Sequence, residues 1–408
     1  MKKEDFIERR KKLFEKMNDN ELVILLSREE SELYLRFNQD KNLFYMTGLE
    51  TPKTVLVMFK KGEIETTFAF IERNVPERVV WYGEKMKKSE ATEISGIETI
   101  YFYDELNAVL HYYLSVAENV YVNYETSEPF ASKSNALVYI NELRNNYPNL
   151  KFKQFNKIIS SLRSVKDDSE IEELQKAIDI TGAGIERIMK DSKPGMYEYQ
   201  LESMLYDTML SNGYREWGFT PIIAQGKNAA TLHYSANNTL IEENKLVLLD
   251  VGASSSNYSA DISRTFPVTG KFTERQKDVY SAVLFVQKTI INMVKPGISM
   301  KELNEETAKL ISKELIKLGL ITDEKDYKKY YMHSVSHHLG LDTHDLGSRT
   351  SVLEVGNVIT VEPGIYIPEE EIGVRIEDDV LVTEAGHTVL SESIPKEIED
   401  LENLASGK

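Results

Sequence analysis

Four acidic residues interrupt stretches of sequence that otherwise have the composition of buried β-strands. Each lies at the centre or end of a strand-like run, next to a Gly or Pro turn: Asp250 in 246–252, Asp261 in 259–266, Glu362 in 358–364 and Glu377 in 374–382. An ionised carboxylate is expensive to bury, and two of them close together repel by roughly 4 kcal/mol at an intermediate dielectric. Any one acid could cap a turn or face solvent from an edge strand, but four together favour a site that binds cations.

Histidines supply the second part of this pattern. Four of the seven histidines lie in the segment 333–345: His333, His337, His338 and His344. The chain has no cysteine, which excludes disulfides, thiolate metal sites and cysteine nucleophiles and leaves imidazoles and carboxylates as metal ligands. An oxygen-dominated set with one imidazole favours Mn²⁺, Mg²⁺ or Co²⁺ over a soft-ligand zinc site. Two divalent ions would balance four carboxylates and could hold a bridging hydroxide, a nucleophile for hydrolysis.

Overall charge limits the partners. The formal net charge is −17, from 66 acidic and 49 basic residues, so the chain should repel nucleic-acid phosphates and anionic lipids. The first twelve residues carry charges of both signs and lead into no apolar stretch, and no run approaches the length of a membrane span. We therefore expect a cytoplasmic protein without nucleic-acid or membrane partners.

The length of 408 residues favours two domains. Residues 1–160 show short strands between helices, typical of a small α/β domain, and a polar stretch from 160 to 169 precedes the second domain, 161–408. In this second part, helices are predicted over 170–190, 197–212, 273–294 and 300–318. Each helix pair is separated by Lys-Pro-Gly, at 193–195 and 295–297, which suggests an internal repeat.

Five ordered segments resemble the signatures of the pita-bread metallopeptidases, and within that family the aminopeptidase P group: 232–234, 261–267, 336–345, 361–366 and 373–378. Segments 37–52 and 80–83 resemble the non-catalytic domain of the same group, which methionine aminopeptidases lack. Ser334 departs from the pattern, since relatives usually have Gly there. The resemblance implies an α+β protein, with a C-terminal pita-bread (creatinase/aminopeptidase) fold and a smaller N-terminal α/β domain.

The resemblance also implies residue roles. The metal ligands would be Asp250, Asp261, His337, Glu362 and Glu377, with Asp261 and Glu377 bridging two ions and Glu362 assisting the hydroxide. The substrate pocket would be lined by His233, His333, His344 and Arg375, which bind the scissile carbonyl and stabilise the tetrahedral intermediate. His338 matches none of these positions, so we expect a packed or exposed ring.

The implied activity is hydrolysis of the bond between an N-terminal residue and a following proline, in peptides of three or more residues. Two divalent ions are expected, with Mn²⁺ favoured and Co²⁺ or Zn²⁺ as alternatives, in a homodimer or homotetramer. The nearest alternative is an Xaa-Pro dipeptidase (prolidase). A more remote one is a non-catalytic peptide-binding module that has lost its metals, which the complete ligand set argues against.

Overall fold

The computed structural model describes residues 1–29, 36–124, 135–348 and 350–406. The chain divides into two compact units, Met1–Leu162 and Arg163–Lys408. Across the described ranges, no helix combines the length and the apolar character that a membrane crossing requires.

The first unit is built on a mixed sheet with helices. Its elements are α1 (Lys3–Lys16), β1 (Glu21–Leu26), α2 (Lys41–Thr47), β2 (Val55–Lys61), β3 (Ile64–Ile71), α3 (Pro76–Tyr82), α4 (Lys88–Ser95), β4 (Ile100–Phe102), α5 (Leu106–Val116), β5 (Asn119–Val122), α6 (Asn135–Asn146), β6 (Lys151–Gln154) and α7 (Asn156–Arg163), which reaches the second unit. Within the described ranges the sheet order is β4-β3-β2-β1-β5-β6. The alternation of strands and helices predicted from the sequence is confirmed. The short helices α2, α3 and α4 were not predicted. The sequence also predicts a helix over 131–146, which corresponds to α6, and its residues 131–134 lie outside the described residues.

The central strand β1 explains why this sheet forms where it does. All six of its residues are buried, and it pairs antiparallel with β2 and parallel with β5. Leu22 and Ile24 pack with Phe68 and Leu110 in one apolar cluster under the sheet. A continuous apolar strand of this kind can be buried on both faces only when it lies inside a sheet.

The second unit alternates long helices with short strands. Its elements are α8 (Asp168–Asp191), α9 (Glu198–Ser211), β7 (Glu216–Trp217), β8 (Ile222–Gln225), β9 (Leu246–Val251), β10 (Ala253–Ser255), β11 (Tyr258–Ser259), β12 (Ile262–Pro267), α10 (Glu274–Ile291), α11 (Met300–Lys317), β13 (Val358–Val361), β14 (Gly364–Ile367), β15 (Ile372–Arg375), β16 (Asp378–Thr383), β17 (Gly386–Val389) and α12 (Ile398–Ala405). The four predicted helices correspond to α8, α9, α10 and α11. Three of them begin after side-chain caps: Asp167 accepts from Glu170 N, Thr273 from Gln276 N, and Ser299 from Glu302 N.

The two Lys-Pro-Gly turns have the same geometry. Gly195 and Gly297 both have φ of 90°, a left-handed conformation that favours glycine. Gly195 N donates to Ile241 O (2.8 Å), and Gly297 N donates to Leu353 O (2.9 Å). Each helix pair is therefore tied at its turn to an extended segment, as the predicted internal repeat requires.

Two β-ribbons carry the four acids. The turn-rich segment 254–257 between the two runs predicts a hairpin, and strands β9 and β12 do pair antiparallel, with Asp250 opposite Ser263. Asp261 precedes Ser263 by two residues, so its side chain lies on the same face as that of Asp250.

The second ribbon continues through a break. Val361 of β13 pairs with Asp378 of β16, and Gly364 of β14 pairs with Arg375 of β15. The register is the same on both sides, and Ile376 N donates to Pro363 O between the two paired regions (3.3 Å).

The histidine segment runs antiparallel beside β13. Leu339 N donates to Val358 O (3.0 Å), Thr360 N to His337 O (3.0 Å), and Glu362 N to Val335 O (2.9 Å). These bonds fix the backbone of His337 next to that of Glu362.

The acidic composition of the segment 395–403 predicts a solvent-exposed face, and this prediction is wrong for two residues. Lys396 is buried, and its charge is paired there because Nζ donates to the carboxylate of Asp378 (2.6 Å). Leu401 is also fully buried, on the inner side of α12.

Candidate active site

Three of the predicted ligands form the centre of the site. Asp261, His337 and Glu377 each present an atom suited to a metal, and these atoms lie within 4.8 Å of one another. His337 Nε2 is 3.3 Å from Asp261 Oδ2 and 3.5 Å from Glu362 Oε1. Asp261 and Glu377 are almost fully buried, at 5% and 2% exposure, so the group is an interior cluster of acids around one imidazole.

Asp250 completes the set of carboxylates. Its Oδ2 accepts a hydrogen bond from Arg375 Nη2 at 2.5 Å, while its buried Oδ1 has no hydrogen-bond partner in the described structure. A buried acceptor without a donor is costly, and a cation at this point would satisfy it.

Burial and mutual repulsion disfavour the ionised forms of three carboxyl groups in the site. Burial raises the pKa of Asp261 well above its ordinary value, and the charge of Asp250 raises it further. Burial likewise raises the pKa of Glu377, with added repulsion from Asp261 and Glu362. Burial raises the pKa of Glu362 to about 7. An oxygen-rich cluster that resists its own ionisation fits hard divalent cations, which would stabilise the ionised form.

Two residues that sequence reasoning did not single out connect the ligands to Arg375. Ser263 Oγ donates to Glu377 Oε2 (2.7 Å) and accepts from Arg375 Nε (2.8 Å). Tyr366 OH accepts from Arg375 Nη1 (3.0 Å). Neither residue carries a distinctive signal in the sequence, since Arg264 and Thr265 are further polar residues of the strand that contains Ser263.

His333 has both ring nitrogens engaged. Its Nδ1 lies 2.9 Å from the carbonyl oxygen of Ser334, so Nδ1 carries the proton, and Nε2 accepts from Tyr366 OH at 2.8 Å. Burial, with the nearby charge of Arg375 and a smaller effect of His233, lowers the pKa of His333 to about 4. The ring is therefore neutral at pH 7.

The remaining predicted histidines also reach the site. His344 is exposed, and its ring packs edge-on against His337 with centroids 4.3 Å apart. His233 is exposed and near enough to His333 to affect its pKa. His338, expected to have no role here, is buried, and its Nε2 bonds Ser351 Oγ (3.0 Å).

A buried network lies behind the ligands. Asp379 Oδ2 accepts from the backbone N of Asp261 (3.2 Å), and Arg264 Nη1 donates to the carbonyl of Glu377 (2.6 Å). Burial opposes the charge on Asp378, but Arg264 and Lys396 hold its pKa below the ordinary value. These contacts fix the backbone on which the two innermost acids are carried.

Two family models match the chain. The model described as metallopeptidase family M24 matches residues 172–384, and the model described as aminopeptidase P, N-terminal domain, matches residues 6–121.

Relatives cover nearly the whole length. The Xaa-Pro aminopeptidase of Haemophilus influenzae is 34% identical, over 98% of this chain and 97% of its own. A Bacillus anthracis structure described as a candidate aminopeptidase P has a TM-score of 0.95 at 37% identity, covering 99% of this chain and 98% of that one. A zinc-substituted Escherichia coli aminopeptidase P in complex with product has a TM-score of 0.90 at 30% identity, with the same coverage.

Proposed function

Because this chain belongs to metallopeptidase family M24 and is a metal-dependent Xaa-Pro aminopeptidase with a pita-bread catalytic fold, we propose the following residue roles and metal content for it. Divalent metal ions are its cofactors, and peptides with proline in the second position are its substrates. The prediction of the family and of the activity is confirmed, and the dipeptidase and non-catalytic alternatives are disfavoured.

The proposed metal ligands are Asp250, Asp261, His337, Glu362 and Glu377, with Asp261 and Glu377 shared between two ions. The observation that carries this proposal is the cluster of Asp261, Glu377 and Glu362 around the imidazole of His337, with the buried Oδ1 of Asp250 left without a donor in the described structure. Bound divalent ions supply two things: they lower the pKa of a water molecule towards neutrality, and they polarise the scissile carbonyl. Mn²⁺ is the proposed ion, since oxygen ligands dominate, with Co²⁺ or Zn²⁺ as substitutes.

Glu362 is the proposed proton carrier. Glu362 lies at the edge of the ligand group. Its Oε1 is 3.5 Å from His337 Nε2, and its Oε2 is 3.7 Å from His333 Nδ1. From this position it can accept the proton of the attacking water and return it to the prolyl nitrogen as the bond breaks.

The proposed substrate-binding residues are His233, His333, His344 and Arg375. The exposed rings of His233 and His344 can donate to peptide carbonyls directly. The Nε2 of His333 can only accept a hydrogen bond, and it already accepts one from Tyr366 OH. His333 therefore contacts substrate by giving up the bond to Tyr366 and accepting one from a substrate N–H. Arg375 holds Asp250 and Tyr366, and thereby orients groups on both sides of the site.

The finer features predicted from the sequence belong to this proposal as well. They are the domain limits 1–160 and 161–408, a homodimeric or homotetrameric assembly, and a cytoplasmic location, the last supported by the absence of cysteine and the acidic composition.

The proposal can be tested with the full-length chain. After removal of metal with a chelator, activity on an Ala-Pro-Pro type tripeptide should be lost and should return when Mn²⁺ is added, with two ions bound per chain. Gly-Pro should be cleaved much more slowly. A single bound ion, or activity that survives chelation, would contradict the dinuclear assignment.

A further inference from the structure

One buried carboxylate, that of Glu198, closes the loop that carries His233. Glu198 is the first residue of α9 and is 0% exposed. Its Oε1 accepts from Gln225 N (2.9 Å) and its Oε2 from Thr239 N (2.9 Å). These amides lie at the two ends of the loop 225–239, so a single side chain joins both ends.

The same carboxylate holds two side chains inside the loop. Oε1 also accepts from Asn228 Nδ2 (3.1 Å), and Oε2 also accepts from Tyr234 OH (2.7 Å). All four acceptor positions of Glu198 are thus filled by neutral donors. Because Tyr234 follows His233 directly, one of these bonds acts one residue away from the imidazole.

In the described part of the chain, no hydrogen bond holds the imidazole of His233, and its side chain is exposed. The position of the ring beside His333 therefore depends on the backbone of the loop. A buried carboxylate is also a costly way to fill space, and glutamine would present an NH₂ group to two of the four donors.

We propose that Glu198 is the positioning residue for His233, and that its four hydrogen bonds set the distance from this histidine to the substrate. The inference deepens the proposed function and rests on it, since it takes His233 as a substrate-binding residue. Glu198 touches no metal ligand, so its effect is on substrate binding and transition-state contact, not on metal content.

The first experiment compares two glutamates of the same helix in full-length, Mn²⁺-loaded enzyme. Glu198→Gln should lower kcat/KM for a Xaa-Pro tripeptide by about tenfold to a hundredfold, because hydrogen bonds to a charged group are lost. Metal content should not change, and amide exchange should accelerate at Gln225 and Thr239. Glu202→Gln is the matched control. Glu202 accepts from the side chain of Asn237 in the same loop (Nδ2, 2.9 Å), whereas Glu198 holds the end amides of Gln225 and Thr239, so replacing Glu202 should change kcat/KM little.

A double-mutant cycle separates positioning from simple stabilisation. If Glu198 acts through His233, adding Glu198→Gln to His233→Ala should cause no further fall in kcat/KM. Losses that multiply would overturn the inference, because Glu198 would then act on the fold alone. If His233→Ala itself left kcat/KM unchanged, the proposed role of His233 would fail first, and the inference with it.

A milder variant covers the case in which Glu198→Gln does not fold. Tyr234→Phe removes the hydroxyl that donates to Glu198, together with its longer contacts to Asn238 and Thr239, and keeps the ring. Its loss of kcat/KM should likewise vanish in the His233→Ala background, and an undiminished loss there would overturn the inference.

Discussion

Glu362 and Glu377 lie opposite each other at a break between two antiparallel strand pairs that share one register. The pairs Val361 with Asp378 and Gly364 with Arg375 flank this break in the ribbon and place the two glutamates opposite each other. Like charges directly opposite in a sheet destabilise it. The ribbon is therefore least stable without a cation, and metal binding should be visible as a gain in protein stability.

Replacing one of these glutamates should separate stability from activity. Glu377→Gln removes a carboxyl group whose pKa is raised by burial and by the neighbouring acids. The metal-free variant should therefore unfold at a higher temperature than metal-free wild type, by about 2–4 °C for each kcal/mol of repulsion removed. Turnover of a Xaa-Pro tripeptide should be abolished. Mn²⁺ should no longer raise the unfolding temperature, which scanning calorimetry with and without Mn²⁺ measures. Glu186→Gln, at a partly exposed position of α8, serves as control. Wild-type-like turnover of Glu377→Gln would refute the ligand assignment.

Ser263 is expected to support metal binding without being a ligand. Ser263→Ala removes the hydroxyl that joins Glu377 to Arg375 and leaves Arg375 Nε without that acceptor. Metal affinity should fall by about 10–100-fold, as for other partners of ligating carboxylates. Titration calorimetry with Mn²⁺ gives the constant. The exposed Ser115→Ala should bind Mn²⁺ as wild type does, and equal affinities for all three proteins would rule out this role for Ser263.

Gly252 keeps the first two acids at their spacing. A methyl group here would overlap the carbonyl oxygen of Ala260, a backbone atom that cannot turn aside. Gly252→Ala should therefore displace Asp261 from Asp250 and weaken Mn²⁺ binding by about tenfold or more, given the usual cost of overpacking. Ala253→Gly, at the next position, adds no atoms and should leave the Mn²⁺ affinity near that of wild type. Wild-type Mn²⁺ affinity in Gly252→Ala would contradict a role for the close approach of residue 252 to the carbonyl of Ala260.

Asp345 should make stability depend on acid pH. Burial alone would raise its pKa, but Arg163 and Lys166 hold the pKa below the ordinary value. The stabilisation is therefore present above the unfolded value, about 4, and is lost as pH falls through the lower folded value. Asp345→Asn should cost about 3–5 kcal/mol at pH 7, since it removes the carboxylate that the buried Arg163 and Lys166 share, and less below pH 4.

Urea unfolding at pH 7 and in the acid range measures this difference. Asp342→Asn is the control, because Asp342 pairs with the same arginine but is 41% exposed, and its loss should cost about 1 kcal/mol or less. An equal cost of Asp345→Asn at both pH values would contradict the linkage.

Arg10 should stabilise the first unit without affecting catalysis. This buried guanidinium donates to Met46 O and Ser95 O, both 2.7 Å, which are among the last carbonyls of α2 and α4. Burial lowers its pKa to about 10, so it remains charged at pH 7. Arg10→Met should lower the unfolding free energy by about 2–4 kcal/mol and leave kcat unchanged. Lys11→Met, at the exposed neighbouring position, should leave the unfolding free energy in urea unchanged. An unchanged unfolding free energy for Arg10→Met would show that the two carbonyls do not need the guanidinium.

Much of the fold followed from local pattern. The runs around Asp250 and Glu362 read as strands because β-branched residues surround each acid, and the helix pairs follow from periodicity and from the Lys-Pro-Gly turns. The short helices α2, α3 and α4 were missed because seven or eight residues carry too little periodic signal. Lys396 was assigned to solvent because nothing nearby in the sequence reveals Asp378, 18 residues away, as its partner.

The site divides in the same way. Ligand types and order are visible in the sequence, since each acid sits in an apolar run. The connecting groups Ser263 and Tyr366 are not, because a serine or tyrosine in a strand has no distinctive signal until the two ribbons are docked. Glu198 is 35 residues from His233, and no spacing rule links them.

The two ribbons also set an order for folding. Asp250 and Asp261 are joined by a short connection, as are Glu362 and Glu377, so each pair of acids can meet early through local loop closure. Docking one ribbon on the other brings together segments more than 100 residues apart, and slow, non-local contacts of this kind form late. The acids of each ribbon are thus assembled before the charges of both are confined together, and a cation present during refolding would act on the last step of the pathway, leaving the first unaffected.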